Sequence, residues 1–279
     1  ATLMGVAPTN VIFTSGGTEA NSLALRGAVE GALESGERVT RLFVSAIEHD
    51  SVLKTAAALA ERIPGLRLET IPVTSDGVVD LACTTLIEGK GRALIAVQAA
   101  NNETGVIQPV DGVEELLFVD AVQKPGRYDK ASYVSLSAHK IGGPLGVGAL
   151  IVRDDAPFLA QLLGGGQERG LRAGTENVVG IAGFGAAAAA WAAMSSSLRD
   201  RFESGLPAPS AVFGKGARRL LNTSNFALPG VSAENALMAL DLDGVMVSSG
   251  AACSSGKVKS SHVLKAMGFP AHRTQNSIR

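Results

Sequence analysis

Cysteine is almost missing from this chain: of 279 residues, only Cys83 and Cys253 are cysteines. That excludes a disulfide scaffold and a Cys-rich metal centre, so no metal site is expected, and it fits a reducing compartment such as the cytoplasm. Excess charge is lacking too. The formal net charge is −1 with 18% charged residues, which gives no electrostatic reason to bind nucleic acid or an anionic membrane. The alanine-rich run Ala186 to Ala193 is too short and interrupted for a membrane span. No signal peptide or basic amphipathic leader is expected from the first residues given. Neither GxGxxG nor GxxxxGK[ST] occurs, which weighs against a dinucleotide or P-loop site. Both ends read as cut: Ala1 opens in what reads as the tail of a helix, and Arg279 stops without a terminal element.

What is present is glycine, 33 residues of it, the mark of tight turns and close backbone approaches. The length allows a large domain with a smaller one. Apolar runs at Val11–Thr14, Arg41–Ser45, Leu66–Pro72, Ala93–Ala99, Leu116–Val119, Tyr133–Leu136 and Val147–Val152 read as strands. Helical patterns follow the first two, and Leu81–Ile87 reads as a short helix holding Cys83 as apolar filler. Polar groups gather where these strands end: Gly17 and Thr18, His49, Asn102, Asp120, Gln123, then Ser137, His139 and Lys140. An open α/β sheet places its ligand at that edge. Hydroxyls and glycines before a helix suit phosphate, although Thr18 or Ser15 could be a plain cap. Lys140 beside His139 reads either as a turn lysine or as an amine nucleophile of the Schiff-base kind. The connection Val106–Glu115 is short for a crossover helix, so either the strand order changes there or residues are absent.

Beyond Val152 a glycine-rich loop with two arginines, Gly164–Asn177, precedes a long alanine-dominated helix, Val178–Leu198. It reads as an anion or subunit contact, or as a plain surface loop. Gly205–Gly216 reads as surface loop. Asn222–Leu228 and Val245–Ser248 are strand candidates flanking a helix at Ala233–Leu240, with a further helix at Ser261–Met267. Cys253 sits in Ser248–Gly256 among small residues, with no apolar face to bury it. That favours an exposed, reactive thiol. Arg279 is placed to clamp a carboxylate.

Seven segments, taken in order, resemble the cysteine desulfurases of the NifS/IscS type, fold-type I pyridoxal phosphate enzymes of the class V aminotransferase group. They are Phe13–Asn21, Glu48-His49, Asn101–Gly105, Val119–Gln123, Ser137–Lys140, Arg172–Asn177 and Ser249–Gly256. The resemblance implies an α/β fold of type I: a mostly parallel central sheet between helices over 1–205, and a smaller α+β domain over 206–279 carrying the cysteine loop. It implies pyridoxal 5′-phosphate as cofactor, with Lys140 as its covalent anchor, Asp120 on the pyridine nitrogen, His49 over the ring, and Asn102 and Gln123 near the phenolic oxygen. Gly17, Thr18, Ser137 and His139 would hold the phosphate, with Thr175 reaching across a homodimer. Arg279, with Asn102, would meet the carboxylate of an L-cysteine substrate. Cys253 would take its sulfur as a persulfide, for delivery to an acceptor protein such as an iron–sulfur scaffold. The resemblance implies catalytic roles for Lys140, Cys253 and His49. A selenocysteine lyase or a small-molecule aminotransferase of the same fold is the alternative, and Cys253 in its mobile-looking loop argues against transamination. The family's N-terminal substrate-lining stretch and C-terminal helices have no counterpart here, and Gly142-Gly143 departs from the usual pattern.

Overall fold

The central strands of a seven-stranded sheet, such as Leu116–Asp120 and Tyr133–Ser137, are buried along their whole length, as a sheet covered on both faces requires. The structure is a computed structural model, which describes residues 1–84, 91–113, 115–191, 197–249 and 260–279. Packing divides the chain into two units. Unit 1 comprises Ala1–Ile71, Leu81–Ala99 and Pro109–Ala192; unit 2 comprises Pro72–Asp80, Ala100–Gln108 and Ala193–Arg279.

Unit 1 holds β1 (Val11–Thr14), β2 (Val39–Ser45), β3 (Arg67–Ile71), β4 (Arg92–Gln98), β5 (Leu116–Asp120), β6 (Tyr133–Ser137) and β7 (Gly148–Val152). Their order is β1-β7-β6-β5-β4-β2-β3. Strands β2 to β6 pair in parallel, and β7 lies antiparallel to both β6 and β1. This is the mostly parallel, type I sheet expected. Strand order reverses between β2 and β4, which is where such sheets open a ligand crevice beyond their carboxyl ends.

Helix α1 (Gly17–Glu34) buries Ala20, Leu23, Ala24, Ala28 and Ala32, a ridge of mostly small residues that lets it lie close to the sheet. Helix α2 (Asp50–Arg62) buries Val52, Ala56 and Leu59 at helical spacing. Both pack into one core with Leu42, Leu94, Phe118 and Tyr133. The expected helix over Val178–Leu198 is α3, which ends at Ala190; α4 (Ser197–Ser204) follows. Of the expected helix Leu81–Ile87, Leu81–Thr84 is a 3-10 turn, and the rest lies outside the described residues.

The strand order does not change across the short Val106–Glu115 link. Strands β4 and β5 are neighbours in parallel register, Gln98 opposite Asp120, and their connection contributes Ala100–Gln108 to unit 2. There Ala100 bridges Ile107, and Val106 bridges Arg219.

Unit 2 carries β8 (Ala211–Val212), β9 (Phe226–Ala227) and β10 (Ser277–Ile278), antiparallel in the order β10-β9-β8. Helix α5 (Ala233–Leu242) packs Ala233 and Ala236 against Phe226 and Ile278. Helices α6 (His262–Ala266) and α7 (Ala271–Thr274) follow. Thus part of the Gly205–Gly216 segment, read as loop, is strand. The candidate strand Val245–Ser248 instead contributes backbone pairing between Ser248 and Arg279. Glu203 and Arg219 form a bidentate ion pair at 2.7 and 2.8 Å, with side chains only 7% and 5% exposed. Among the described residues no helix is long and apolar enough to cross a membrane, and no cluster of three metal-ligating side chains occurs.

Candidate active site

Strand register brings two rows of side chains to the carboxyl edge of the large sheet. Thr14, Gly148 and Ser137 lie side by side across β1, β7 and β6. Gln98, Asp120 and Ser135 do so across β4, β5 and β6. The first row is backed by the start of α1, whose first turn has no side-chain cap, so its N–H groups face outward. A Cβ on Gly17 would come 2.9 Å from Val122 Cγ2 and 3.5 Å from Ser137 Cβ, and one on Gly148 would strike the Gly16 backbone at 2.6 Å. These glycines keep open a cradle of N–H groups at a helix terminus, the chemistry that binds phosphate. Glu19, in that same turn, is engaged bidentately by Arg172 at 2.7 and 3.1 Å. Burial alone would raise its carboxyl, but Arg172 and Ser15 bring it below the usual range. Its charge is therefore matched and does not oppose an anion in the cradle.

Asp120 ends β5 with 7% of its surface exposed. Its Oδ1 accepts from the Val122 N–H at 3.0 Å and its Oδ2 from the Asn21 amide at 2.8 Å. Burial raises the Asp120 carboxyl; the hydrogen bonds from Val122 and Asn21 oppose the rise. Such an acid gains most from a cationic partner brought to it. His49 stands at the head of α2 as its N-cap, with Nδ1 accepting from the Ser51 N–H. Glu48, the residue before it, is fully buried and accepts from the Gln98 N–H at 2.7 Å. Burial first, and the nearby Asp120 second, push its carboxyl well up.

After β6 the chain makes a 3-10 turn, Ala138–Ile141, closed by Gly142 at φ +82°, a left-handed conformation natural to glycine. This turn carries His139 and Lys140, both exposed. His139 Nδ1 lies 2.9 Å from Ser137 Oγ. Burial, then the charge of Lys140, lowers the His139 imidazole. Gln123 is half-buried two residues past Ala121, and Thr18 and Thr175 are exposed.

Unit 2 holds the other candidates. Arg279, following β10, donates from Nη1 to the Asn102 carbonyl at 2.5 Å and from Nε to Ser248 Oγ at 3.1 Å. Glu103 is buried and accepts from Ser261 Oγ at 2.5 Å. Burial raises its carboxyl, opposed by Ser261, His262 and Arg279. Asn102 and Arg279 are thus brought together by a carbonyl, a contact no sequence pattern announces. Cys253 lies outside the described residues.

In unit 1 the donor set fits pyridoxal phosphate: a buried carboxylate suited to a protonated ring nitrogen, an N–H cradle suited to a phosphate, and an exposed lysine one strand from Asp120. The class-V aminotransferase family model matches residues 1–278. The chain belongs to the aminotransferase class-V family. This is a pyridoxal phosphate-dependent enzyme family. The chain is 42% identical over 293 residues to a cysteine desulfurase of Cereibacter sphaeroides, covering 98% of this chain and 74% of that protein. A NifS-like protein of known structure superposes with a TM-score of 0.87 at 33% identity, covering 100% of this chain and 78% of the other. SspA, solved in complex with cysteine, gives 0.85 at 27% identity, covering 100% and 83%. These likenesses support the fold-type I assignment and an enzyme of this family.

Asn21, Glu48, Ser51 and Glu103 are polar residues beside these candidates that sequence reasoning leaves without a role. Asn21, Glu48 and Glu103 all sit within the segments that carry the family resemblance. Their spacing could have flagged them: each lies within a few residues of a candidate at a strand end or helix start.

Proposed function

We propose that this chain is a pyridoxal phosphate-dependent cysteine desulfurase, converting L-cysteine to L-alanine and carrying the sulfur as a persulfide on Cys253. The observation that carries the reading is the buried Asp120 carboxylate, tied by the Asn21 amide, in a chain 42% identical to a cysteine desulfurase. Bound pyridoxal phosphate supplies an electron sink for carbon-centred charge on the amino acid. Asp120 holds the ring nitrogen protonated, while Gly17, Thr18, Ser137 and His139 hold the phosphate. Lys140 anchors the cofactor and moves the Cα proton. Asn102 and Gln123 tune the phenolic side, and Arg279, with Nε and Nη1 already engaged, offers Nη2 to the substrate carboxylate.

The Cys253 thiolate attacks the substrate sulfur; an S–S bond forms as the substrate's C–S bond breaks. The electron pair of that bond stays with the carbon fragment, which takes up a proton and leaves as alanine. A thiol of an acceptor protein then takes the outer sulfur, as iron–sulfur or thio-cofactor assembly requires. The reading includes a homodimer in which Thr175 completes the partner's phosphate site.

The test pairs an absorbance spectrum after addition of pyridoxal phosphate with sulfide and alanine assays on L-cysteine. The parent should show a visible cofactor band and release both products. Cys253→Ala should keep the band and lose sulfide. No band in the parent sinks the cofactor assignment, and undiminished sulfide release by Cys253→Ala sinks the persulfide step.

A further inference from the structure

The hydrogen bonds around His49 have directions that the chemistry of their partners fixes. Nδ1 of His49 accepts from the Ser51 backbone N–H at 3.1 Å. A backbone N–H only donates, so Nδ1 bears a lone pair and the proton of the neutral ring is on Nε2. Ser51 Oγ lies 2.8 Å from that same Nδ1. It also receives the Asn21 amide N–H at 2.9 Å. The other hydrogen of the same amide nitrogen goes to Asp120 Oδ2 at 2.8 Å. Turning the amide over would set its oxygen against the carboxylate, so its orientation is determined. Ser51 Oγ, having accepted, turns its own hydrogen to Nδ1. The result is a directed chain, Asp120 ← Asn21 → Ser51 → His49, anchored by two residues of low exposure: Asn21 at 2% and Asp120 at 7%.

We propose that Ser51 and Asn21 are positioning residues that lock His49 in its Nε2–H tautomer and couple its orientation to Asp120. Neutral His49 then offers the site a hydrogen-bond donor at Nε2, not a base. Taking up a proton there as a neutral base requires moving the ring proton to Nδ1, which forfeits the cap on α2 and turns two donors against one another. The lock is a property of the folded chain. Its consequence for the reaction rests on the cysteine desulfurase reading, and the test keeps the two apart.

The test is nitrogen-15 NMR of the imidazoles in the protein without added cofactor and in the loaded protein. The chain has four histidines, and the His49 signals are assigned as those lost in His49→Gln. The parent should show Nδ1 unprotonated and Nε2 protonated in both forms. In Ser51→Ala the two nitrogens should move towards each other as the tautomers mix. Sulfide-releasing kcat should then fall about 2- to 10-fold, the size of one neutral hydrogen bond, with KM held. Ser51→Thr, which keeps the hydroxyl, should restore both the signals and the rate. A parent protein with His49 protonated on Nδ1 overturns the proposal, as does Ser51→Ala with unchanged imidazole signals. Absence of desulfuration in the parent removes the desulfurase reading, while the imidazole signals still decide the tautomer.

Discussion

In unit 1 the candidate side chains hang from regular structure: Asp120 ends β5, His49 caps α2, Ser137 ends β6, and Lys140 follows on a 3-10 turn. In unit 2, Asn102 sits in a turn, Arg279 ends the chain after a two-residue strand, and each is fixed by contacts far apart in sequence. The difference parallels a division of labour in the proposed reaction. Groups that must hold a ring and a phosphate still are built on a seven-stranded sheet. Groups that meet the substrate belong to a unit with a small core and short strands, where side-chain bonds do more of the holding.

That contrast is broken most directly at the Glu203–Arg219 pair of unit 2. Glu203→Ala strands a guanidinium whose side chain is 5% exposed, at a cost of about 3–5 kcal/mol. Hydrogen exchange should show unit 2 amides losing protection while those of β2, β4 and β5 keep theirs. Equal loss in both units would mean that they unfold as one, and the contrast would fall. Asp120→Ala comes next and acts on unit 1. Removing the charge proposed to hold a ring nitrogen should cost on the order of 10²–10³-fold in kcat, as losing a preorganised electrostatic partner does. Thermal unfolding should be affected far less than kcat, because the alanine also removes a carboxyl that burial penalises. A rate within a few-fold of the parent would remove Asp120 from the mechanism.

How far each region can be read from sequence follows the same division. The strands of unit 1 are legible because a parallel core strand is an unbroken apolar run, and Ala93–Ala99 and Leu116–Val119 fall within a residue of β4 and β5. Gly17, His49, Asp120 and Lys140 are legible because polar residues at the ends of such runs need a reason. In contrast, β8 exists only through its pairing with Phe226 and Ala227, so a Pro-containing segment with no period of its own reads as loop. Asn21 and Ser51 meet across thirty positions, and nothing local in either helix declares it. Helix α3 ends at Ala190 although its alanines would propagate further, since helix propensity does not set an end. Arg279 reads from sequence as a carboxylate clamp, but its grip on the Asn102 carbonyl comes from tertiary structure alone.

Arg279→Lys sharpens the comparison from the side of unit 2. Lysine keeps the charge but loses the planar fork, and with it the simultaneous bonds to Ser248, Asn102 and a ligand. The KM for L-cysteine should rise roughly 10- to 100-fold, the worth of a charge-assisted hydrogen bond, while the cofactor band stays unchanged. A lost band with unchanged KM would assign Arg279 to the cofactor instead.

The smallest effect has opposite signs in the two units. Glu48 is buried under β2 and β4 with its carboxyl raised, by burial and then by Asp120. A group raised on folding contributes stability that is complete below the ordinary carboxylate range and is lost as pH rises towards its folded value. Glu203 behaves in reverse. Burial opposes its charge, but Arg219 and Ser224 hold it below the usual range, so its contribution is present above that range and is lost on acidification. Glu48→Gln keeps an acceptor for the Gln98 N–H and cannot ionise. Its melting temperature should gain on that of the parent as pH goes from 5 to 8, by roughly 2–4 °C, a shift of the size expected for a minor change in a domain this large. Glu203→Gln should show its largest deficit at neutral pH, shrinking towards pH 3. If the Glu48→Gln advantage shrank as pH rose, Glu48 would be ionised in the fold. Asp120 would then face a second negative charge in the same buried surroundings.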